Sequence, residues 1–96
     1  MQFAIIADDY KDEKALERRL SVREQHLNFA DKMFKEGTWL FASALLDENG
    51  NMNGSIIVCD YENEEVLRKL WLDNEVYITG KVWEKVEIRK IKVTKH

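Results

Sequence analysis

The spacing of apolar side chains along the chain predicts four strands. Residues 3–7 form a short apolar run without alternation, the pattern of a strand buried on both faces. Residues 39–46 and 55–60 are two further apolar runs joined by a turn-rich loop with an Asn-Gly pair, which predicts a hairpin. Residues 82–93 are rich in β-branched side chains and predict the last strand.

The last predicted strand changes phase along its length. Val86 and Ile88 occupy even positions, whereas Ile91 and Val93 occupy odd positions, so one face cannot stay buried throughout. A bulge, or a change of partner at a subunit contact, would account for this change.

A helix is predicted to begin at Ser21, after a segment dominated by charge. Residues 10–20 predict a loop or a short irregular helix, and Ser21 with Glu24 fits a capping box. Gly37 fits the position after the helix, where a positive φ is common. The apolar positions of this helix form one stripe: Val22, His26, Phe29, Ala30, Met33 and Phe34.

A second helix is predicted after Asn63, which can act as its N-cap. Glu64 and Glu65 then lie in the first turn, where the helix dipole favours negative charge. We expect this helix to end near residues 73–74 and residues 75–80 to connect it to the last strand.

The resulting order, β-α-β-β-α-β, predicts an α+β fold of the ferredoxin-like type, with a four-stranded antiparallel sheet and both helices on one face. The other face carries apolar side chains but has no third layer within this chain. We therefore expect a homodimer in which a second subunit covers that face, giving a dimeric α/β barrel.

Length and composition exclude several classes of protein. With 96 residues, of which 45% are hydrophobic and 34% charged, we expect residues 1–96 to form a single domain. A net charge of -3 disfavours nucleic acid as a partner, and no apolar run approaches the ~20 residues of a membrane span. The single cysteine, Cys59, cannot form an internal disulfide, so a cytoplasmic location is expected.

Candidate chemistry is sparse and centres on His26. From the pattern alone, a lone histidine on an apolar stripe is more often a core residue than a catalytic one. The other histidine, His96, is at the terminus, and no second ligand lies at metal-binding spacing. Glycine-rich phosphate loops are absent too, so neither a metal nor a cofactor is predicted.

Several short motifs spread over the chain resemble the YciI-like, or YCII-related, family of small dimeric proteins with a ferredoxin-like fold. The most specific is the R-x-x-H-L pattern of Arg23, His26 and Leu27. The other matching positions are Asp9 after the first strand, the run at residues 19–23, the pair Gly54-Ser55, and residues 82–88.

The resemblance implies a site in which the histidine, here His26, pairs with an aspartate that follows the second helix. Here the family's Asp-Pro-Tyr is replaced: counting back from Trp83 aligns Tyr77 with the tyrosine and puts Glu75 in the aspartate position. If the extra residues of the loop follow the helix instead, Asp73 takes that position. A carboxylate holds an imidazole in one tautomer, which suits general acid or base catalysis.

Four further residues are candidates for ligand contacts. Arg23, three residues before His26, can hold a carboxylate or phosphate, although a solvated arginine is equally expected. Asp9 can reach the same cleft or simply end the strand in an Asx turn. Ser43 stands where the family has Ala-Gly-Pro and can pack or contact a ligand, and Tyr77 can supply a phenol at the cleft mouth or be a boundary aromatic.

Three functions are compatible with these residues. The first is a lyase- or hydrolase-like enzyme without a cofactor, acting on a small polar metabolite; some relatives resemble dehydrochlorinases of hydroxylated aromatics. The second is a non-catalytic small-ligand-binding protein, which the replacement of Asp-Pro slightly favours. The third is a purely structural dimeric module.

Overall fold

The computed structural model describes residues 1–94, and its elements follow the predicted order with two additions after the second helix. His96, expected to belong to a mobile terminus, lies outside the described residues. The elements are β1 (Gln2–Asp9), α1 (Ala15–Glu36), β2 (Trp39–Leu46), β3 (Met52–Asp60), α2 (Glu64–Leu70), a 3-10 turn (Leu72–Asn74), α3 (Val76–Thr79) and β4 (Trp83–Ile91).

The four strands form one antiparallel sheet in the order β2-β3-β1-β4. Ile5 in the central strand β1 pairs with Ile57 of β3 on one side and with Ile88 of β4 on the other. The predicted α+β fold with a ferredoxin-like arrangement is therefore confirmed. One face of the sheet packs on the helices to form the core, whose fully buried members include Phe3, Ile5, Trp39, Ile57, Leu67 and Trp71.

Helix α1 begins at Ala15, six residues before the predicted start, so the capping box at Ser21 is wrong. Ser21 lies inside the helix, and its hydroxyl donates to the carbonyl oxygen of Arg18 at 2.7 Å. The charged segment joins the helix because alanine, leucine, glutamate and arginine are strong helix formers. As a consequence, Arg19 belongs to the same helix as His26 and lies two turns before it.

The segment after α2 is more structured than predicted. Asn63 caps α2 as expected, since its side-chain oxygen accepts the backbone N–H of Val66 at 2.8 Å. Helix α2 ends at Leu70, however, and the predicted connection contains the additional helix α3. Glu75 is the N-cap of α3, and its side chain accepts the backbone N–H of Tyr77 at 3.0 Å.

The edge strands each contain an irregularity that changes which face a side chain occupies. In β2, Trp39 pairs with Cys59 but Phe41 pairs with Val58, so Leu40 is an extra residue in the strand. In β4, a bulge occurs at the start of the strand, between Trp83 and Lys85. Pairing is regular from there to Ile91, so the bulge expected between Ile88 and Ile91 does not occur within this pairing.

Candidate functional site

The side chains of His26 and Glu75 meet in the interior of the protein. Nδ1 of His26 lies 3.0 Å from both carboxylate oxygens of Glu75, and both side chains are more than nine-tenths buried. A carboxylate only accepts hydrogen bonds, so the shared proton belongs on Nδ1 of the imidazole. Nε2 has no partner among residues 1–94 and is not one of the fully buried polar atoms.

Glu75 is held by two other groups besides the histidine. Trp71 donates its indole N–H to Oε1 at 2.9 Å, and the backbone N–H of Tyr77 binds Oε2. Burial opposes the ionised form, but the hydrogen bonds and the charge of His26, together with these two donors, outweigh it and lower the pKa of Glu75. Glu75 is therefore a fixed anion at the edge of the imidazole.

Asp73, the other candidate for the carboxylate, does not reach the histidine. It lies exposed in the 3-10 turn, and His26 bonds to Glu75 instead. The chain thus places the longer glutamate side chain, not Asp73, against His26.

Tyr77 lies between His26 and Arg19. Its ring stacks on the imidazole with centroids 4.0 Å apart and planes 14° apart, and the Arg19 guanidinium carbon lies 4.7 Å from the ring centroid. Because Arg19 and His26 are two turns apart on α1, the ring fits between their side chains. Burial raises the pKa of the Tyr77 hydroxyl, while the charges of Arg19 and Arg23 oppose that rise.

Arg19 joins a buried polar network that the sequence did not reveal. Its Nη1 donates to both oxygens of Asp9 at 2.9 Å, and its Nη2 donates to the hydroxyl of Ser55 at 2.8 Å. The indole N–H of Trp83 also donates to Ser55, at 3.2 Å. The preceding Gly54 is required by space, because a Cβ there would lie 2.5 Å from the carbonyl oxygen of Ala7. The Gly-Ser pair thus places the hydroxyl of this network.

Asp9 serves this network and does not face the cleft of His26. Its carboxylate is tied to Arg19, and burial raises its pKa although the hydrogen bonds and charge of Arg19 oppose that rise. Asp9 also borders a separate depression of about 380 Å³, which Asp12 and Asp47 line as well. The expectation that Asp9 shares the cleft with His26 is therefore corrected.

A cavity of about 180 Å³ lies between α1 and the sheet, beside His26. Its polar lining comes from Arg19, Arg23, His26, Ser55 and Tyr77, and its apolar lining from Leu27, Ala42, Ala44, Met52 and Ile57. The hydroxyl of Tyr77 has no partner within residues 1–94 and, like Nε2 of His26, is not fully buried. Both groups are therefore available to a molecule in the cavity.

Ser43 borders this cavity, but its side chain lies on the opposite face of the sheet. It pairs with Ile56, whose neighbour in β1 is Ile6, and these positions alternate with the helix-facing Ile5 and Ile57. The Ser43 hydroxyl donates to the carbonyl oxygen of Ile56 at 3.1 Å. This hydroxyl is thus satisfied by the sheet backbone, and the ligand contact expected of Ser43 stays a prediction.

Comparison of the sequence with known families identifies the family of this chain. The model of the YCII-related domain matches residues 1–92. The chain belongs to the YCII-related family. Protein YciI of Escherichia coli O6:H1 and that of Shigella flexneri are each 32% identical to it over 98 residues, covering 96% of this chain and 97% of the relative. An uncharacterised protein of Haemophilus influenzae is 31% identical over the same share of both chains.

Solved structures show the same fold at lower identity. The 5-chloro-2-hydroxyhydroquinone dehydrochlorinase TftG of Burkholderia phenoliruptrix, in complex with 2,5-dihydroxybenzoquinone, superimposes with a TM-score of 0.80 at 15% identity, covering 96% of this YCII-related chain and 94% of that one. Protein Atu4242 of Agrobacterium tumefaciens gives a TM-score of 0.53 at 14% identity, covering 99% and 95%.

Within residues 1–94, the longest helix is too polar to span a bilayer, and the others are too short. The cytoplasmic location stays a prediction from the sequence.

Proposed function

We propose that this protein is a cofactor-independent enzyme of the lyase or hydrolase type, acting on a small polar molecule with His26 and Glu75 as its acid/base pair. One observation carries the proposal. Nδ1 of His26 lies 3.0 Å from the Glu75 carboxylate, while Nε2 has no partner among the described residues and belongs to a side chain that lines the cavity.

In this mechanism the lone pair of Nε2 accepts a proton from the substrate. The imidazolium that forms is stabilised by Glu75, which stays ionised because its pKa is lowered. The same nitrogen then returns the proton to the leaving group or to the product, so the enzyme ends in its starting state. Tyr77, whose ring is stacked on the imidazole, keeps the ring plane fixed during both transfers.

One comparison and the size of the cavity support an enzyme that acts on a small molecule. TftG, which shares the fold, is described as a dehydrochlorinase, and its structure contains the small ligand 2,5-dihydroxybenzoquinone. The cavity here, of about 180 Å³, is below the usual range for drug-sized ligands and suits a molecule of that order of size.

The experiment is a thermal-shift screen of small metabolites, followed by NMR detection of products with wild-type protein and His26→Asn. We expect at least one stabilising compound to be converted by the wild type and not by the variant, which still binds it. If stabilising compounds are bound but never converted, the protein is a ligand-binding module and the catalytic proposal is wrong. If no compound stabilises the protein, the result favours the alternative of a purely structural dimeric module.

We further propose a homodimer formed through the sheet face that the helices leave bare. Ala4, Ile6, Ile56 and Val58 on this face are only half-buried, and Phe41 beside them is 56% exposed. Burying such a patch against a second copy would remove it from water. Sedimentation at micromolar concentration should give a dimer, and Phe41→Lys should give a monomer. A monodisperse wild-type monomer would contradict the proposal.

A further inference from the structure

Charge is unevenly balanced around the cavity beside His26. Three basic side chains border it, namely Arg19, Arg23 and His26, and none of its lining residues is acidic. Behind the lining, Asp9 neutralises Arg19, and Glu75 faces His26. Arg23 has no acidic partner within 4.0 Å in the part of the chain that the structure describes. The cavity therefore presents one uncompensated positive charge.

We propose that this cavity binds a small organic carboxylate, with the carboxylate on the guanidinium of Arg23 and an apolar body against the sheet. The position of its reacting group at Nε2 of His26 rests on the proposed function, whereas the binding itself does not. The inference thus names the class of substrate for the candidate site.

The geometry of α1 supports this assignment. Arg23 precedes His26 by three residues, so the two side chains are neighbours on the same helix surface. A guanidinium offers paired N–H donors that match the two oxygens of a carboxylate. One molecule a few ångströms long can therefore contact the arginine at one end and the imidazole at the other.

The apolar residues that line the cavity indicate the chemical character of the rest of the ligand. Leu27 from α1, Ala42 and Ala44 from β2, and Ile57 from β3 supply an apolar wall with small side chains on the β2 side. Such a wall suits a flat apolar body better than a sugar or a polyol, whose hydroxyl groups would lose their water. Besides Nε2 of His26, the Tyr77 hydroxyl is a polar group of the lining that has no partner within residues 1–94. The charge of Arg23 opposes the rise in the pKa of this hydroxyl, and both residues line the same cavity.

Benzoate and its neutral isostere benzamide are suitable probes, since they differ only in charge and hydrogen bonding at one end. We expect benzoate, and not benzamide, to shift the amide resonances of Leu27 and Tyr77 in ¹H–¹⁵N NMR titrations. Arg23→Gln should weaken benzoate binding by about ten- to a hundredfold, the usual cost of losing a hydrogen-bonded charge pair. Arg23 is exposed, so the variant should fold normally.

Lys32→Gln is the matched control. Lys32 is an exposed cation on the same helix, and nine residues of separation put it on the side of α1 away from Arg23. It should leave benzoate affinity within about twofold, which separates a local contact from overall charge. Equal binding of benzamide, equal weakening by Lys32→Gln, or no benzoate-dependent shift at these amides would overturn the inference.

A second variant separates this inference from the proposed function. Glu75→Gln removes the charge behind the imidazole but leaves Arg23 and the apolar wall in place. Benzoate should still bind Glu75→Gln, even though conversion of a substrate should be lost. Binding without conversion in the wild type would refute the catalytic proposal alone, and conversion of neutral molecules only would refute the carboxylate assignment alone.

Discussion

Tyr77 stacks on the imidazole of His26, with ring centroids 4.0 Å apart and planes 14° apart. The same tyrosine donates its backbone N–H to Glu75, the carboxylate that faces the imidazole edge. One residue therefore fixes the ring plane of the histidine through its side chain and the position of the carboxylate through its backbone. The His26–Glu75 pair therefore depends on Tyr77 as well as on the two residues that form it.

Replacing Tyr77 with phenylalanine or leucine tests this dependence. Tyr77→Phe keeps the ring and should leave stability within about 1 kcal/mol of the wild type. Tyr77→Leu loses both the stacking and buried volume, and should cost about 2–4 kcal/mol. Urea unfolding followed by tryptophan fluorescence measures both. Equal costs for the two variants would show that the ring does not matter.

The tautomer of His26 is a second testable consequence. With Nδ1–H donated to Glu75, long-range ¹H–¹⁵N spectra of the neutral form of the imidazole should show a protonated Nδ1 and an unprotonated Nε2. Glu75→Ala should abolish this preference, because it removes the acceptor. A wild-type histidine with its proton on Nε2 would contradict the hydrogen bond.

The lowered pKa of Glu75 predicts a specific dependence of stability on pH. The ordinary pKa of a glutamate carboxyl is 4.5, and the pKa of Glu75 in the folded protein lies below that value. The unfolded chain thus takes up the proton first, so the stabilisation by Glu75 is complete above 4.5 and is lost as the pH falls through the folded pKa. Chemical unfolding of wild type and Glu75→Gln between neutral and acidic pH measures it.

The comparison of the two proteins removes the contributions of other groups, including Asp9, whose raised pKa acts in the opposite direction. The difference in free energy of unfolding, wild type minus variant, should shrink on acidification below 4.5. A difference that stays constant over that range would rule out a lowered pKa.

The Arg19–Asp9 pair should be costly to break from the arginine side. Arg19→Met leaves the Asp9 carboxylate buried without a partner, and we expect a loss of about 3–5 kcal/mol at neutral pH. Arg19→Met combined with Asp9→Asn should recover part of that loss, because no buried charge remains.

Arg68→Met is the control for this pair. Arg68 forms an exposed contact with Glu64 at i,i+4, and its loss should cost no more than about 0.5 kcal/mol. Urea unfolding at neutral pH ranks the variants. A double variant no more stable than Arg19→Met alone would show that the cost comes from lost packing.

Sequence patterns predicted the strands and the position of His26, because both depend on local apolar spacing. The run at residues 3–7 became the centre of the sheet, and His26 lies on the inner face of α1 as its stripe required. The position of Arg19 beside His26 was not predicted, because Ser21 resembled a helix start. Since the helix begins at Ala15, Arg19 lies seven residues before the histidine on the same face.

The remaining differences depend on backbone irregularities that leave little trace in the sequence. The extra residue Leu40 in β2 inverts the alternation, so Trp39 faces the helices while Ser43 faces away. The choice between Asp73 and Glu75 depends on the 3-10 turn and the short α3, which no apolar period could reveal.

The double use of Glu75, as the cap of α3 and as the partner of His26, links the assembly of the site to the folding of one short segment. Any local opening of residues 71–79 removes the cap, the indole donor and the carboxylate from the histidine at once. The site is therefore intact only while this segment is closed, and the hydrogen-exchange protection of these amides reports how often the segment opens. A ligand that requires the intact pair would slow their exchange even if it never touches α3.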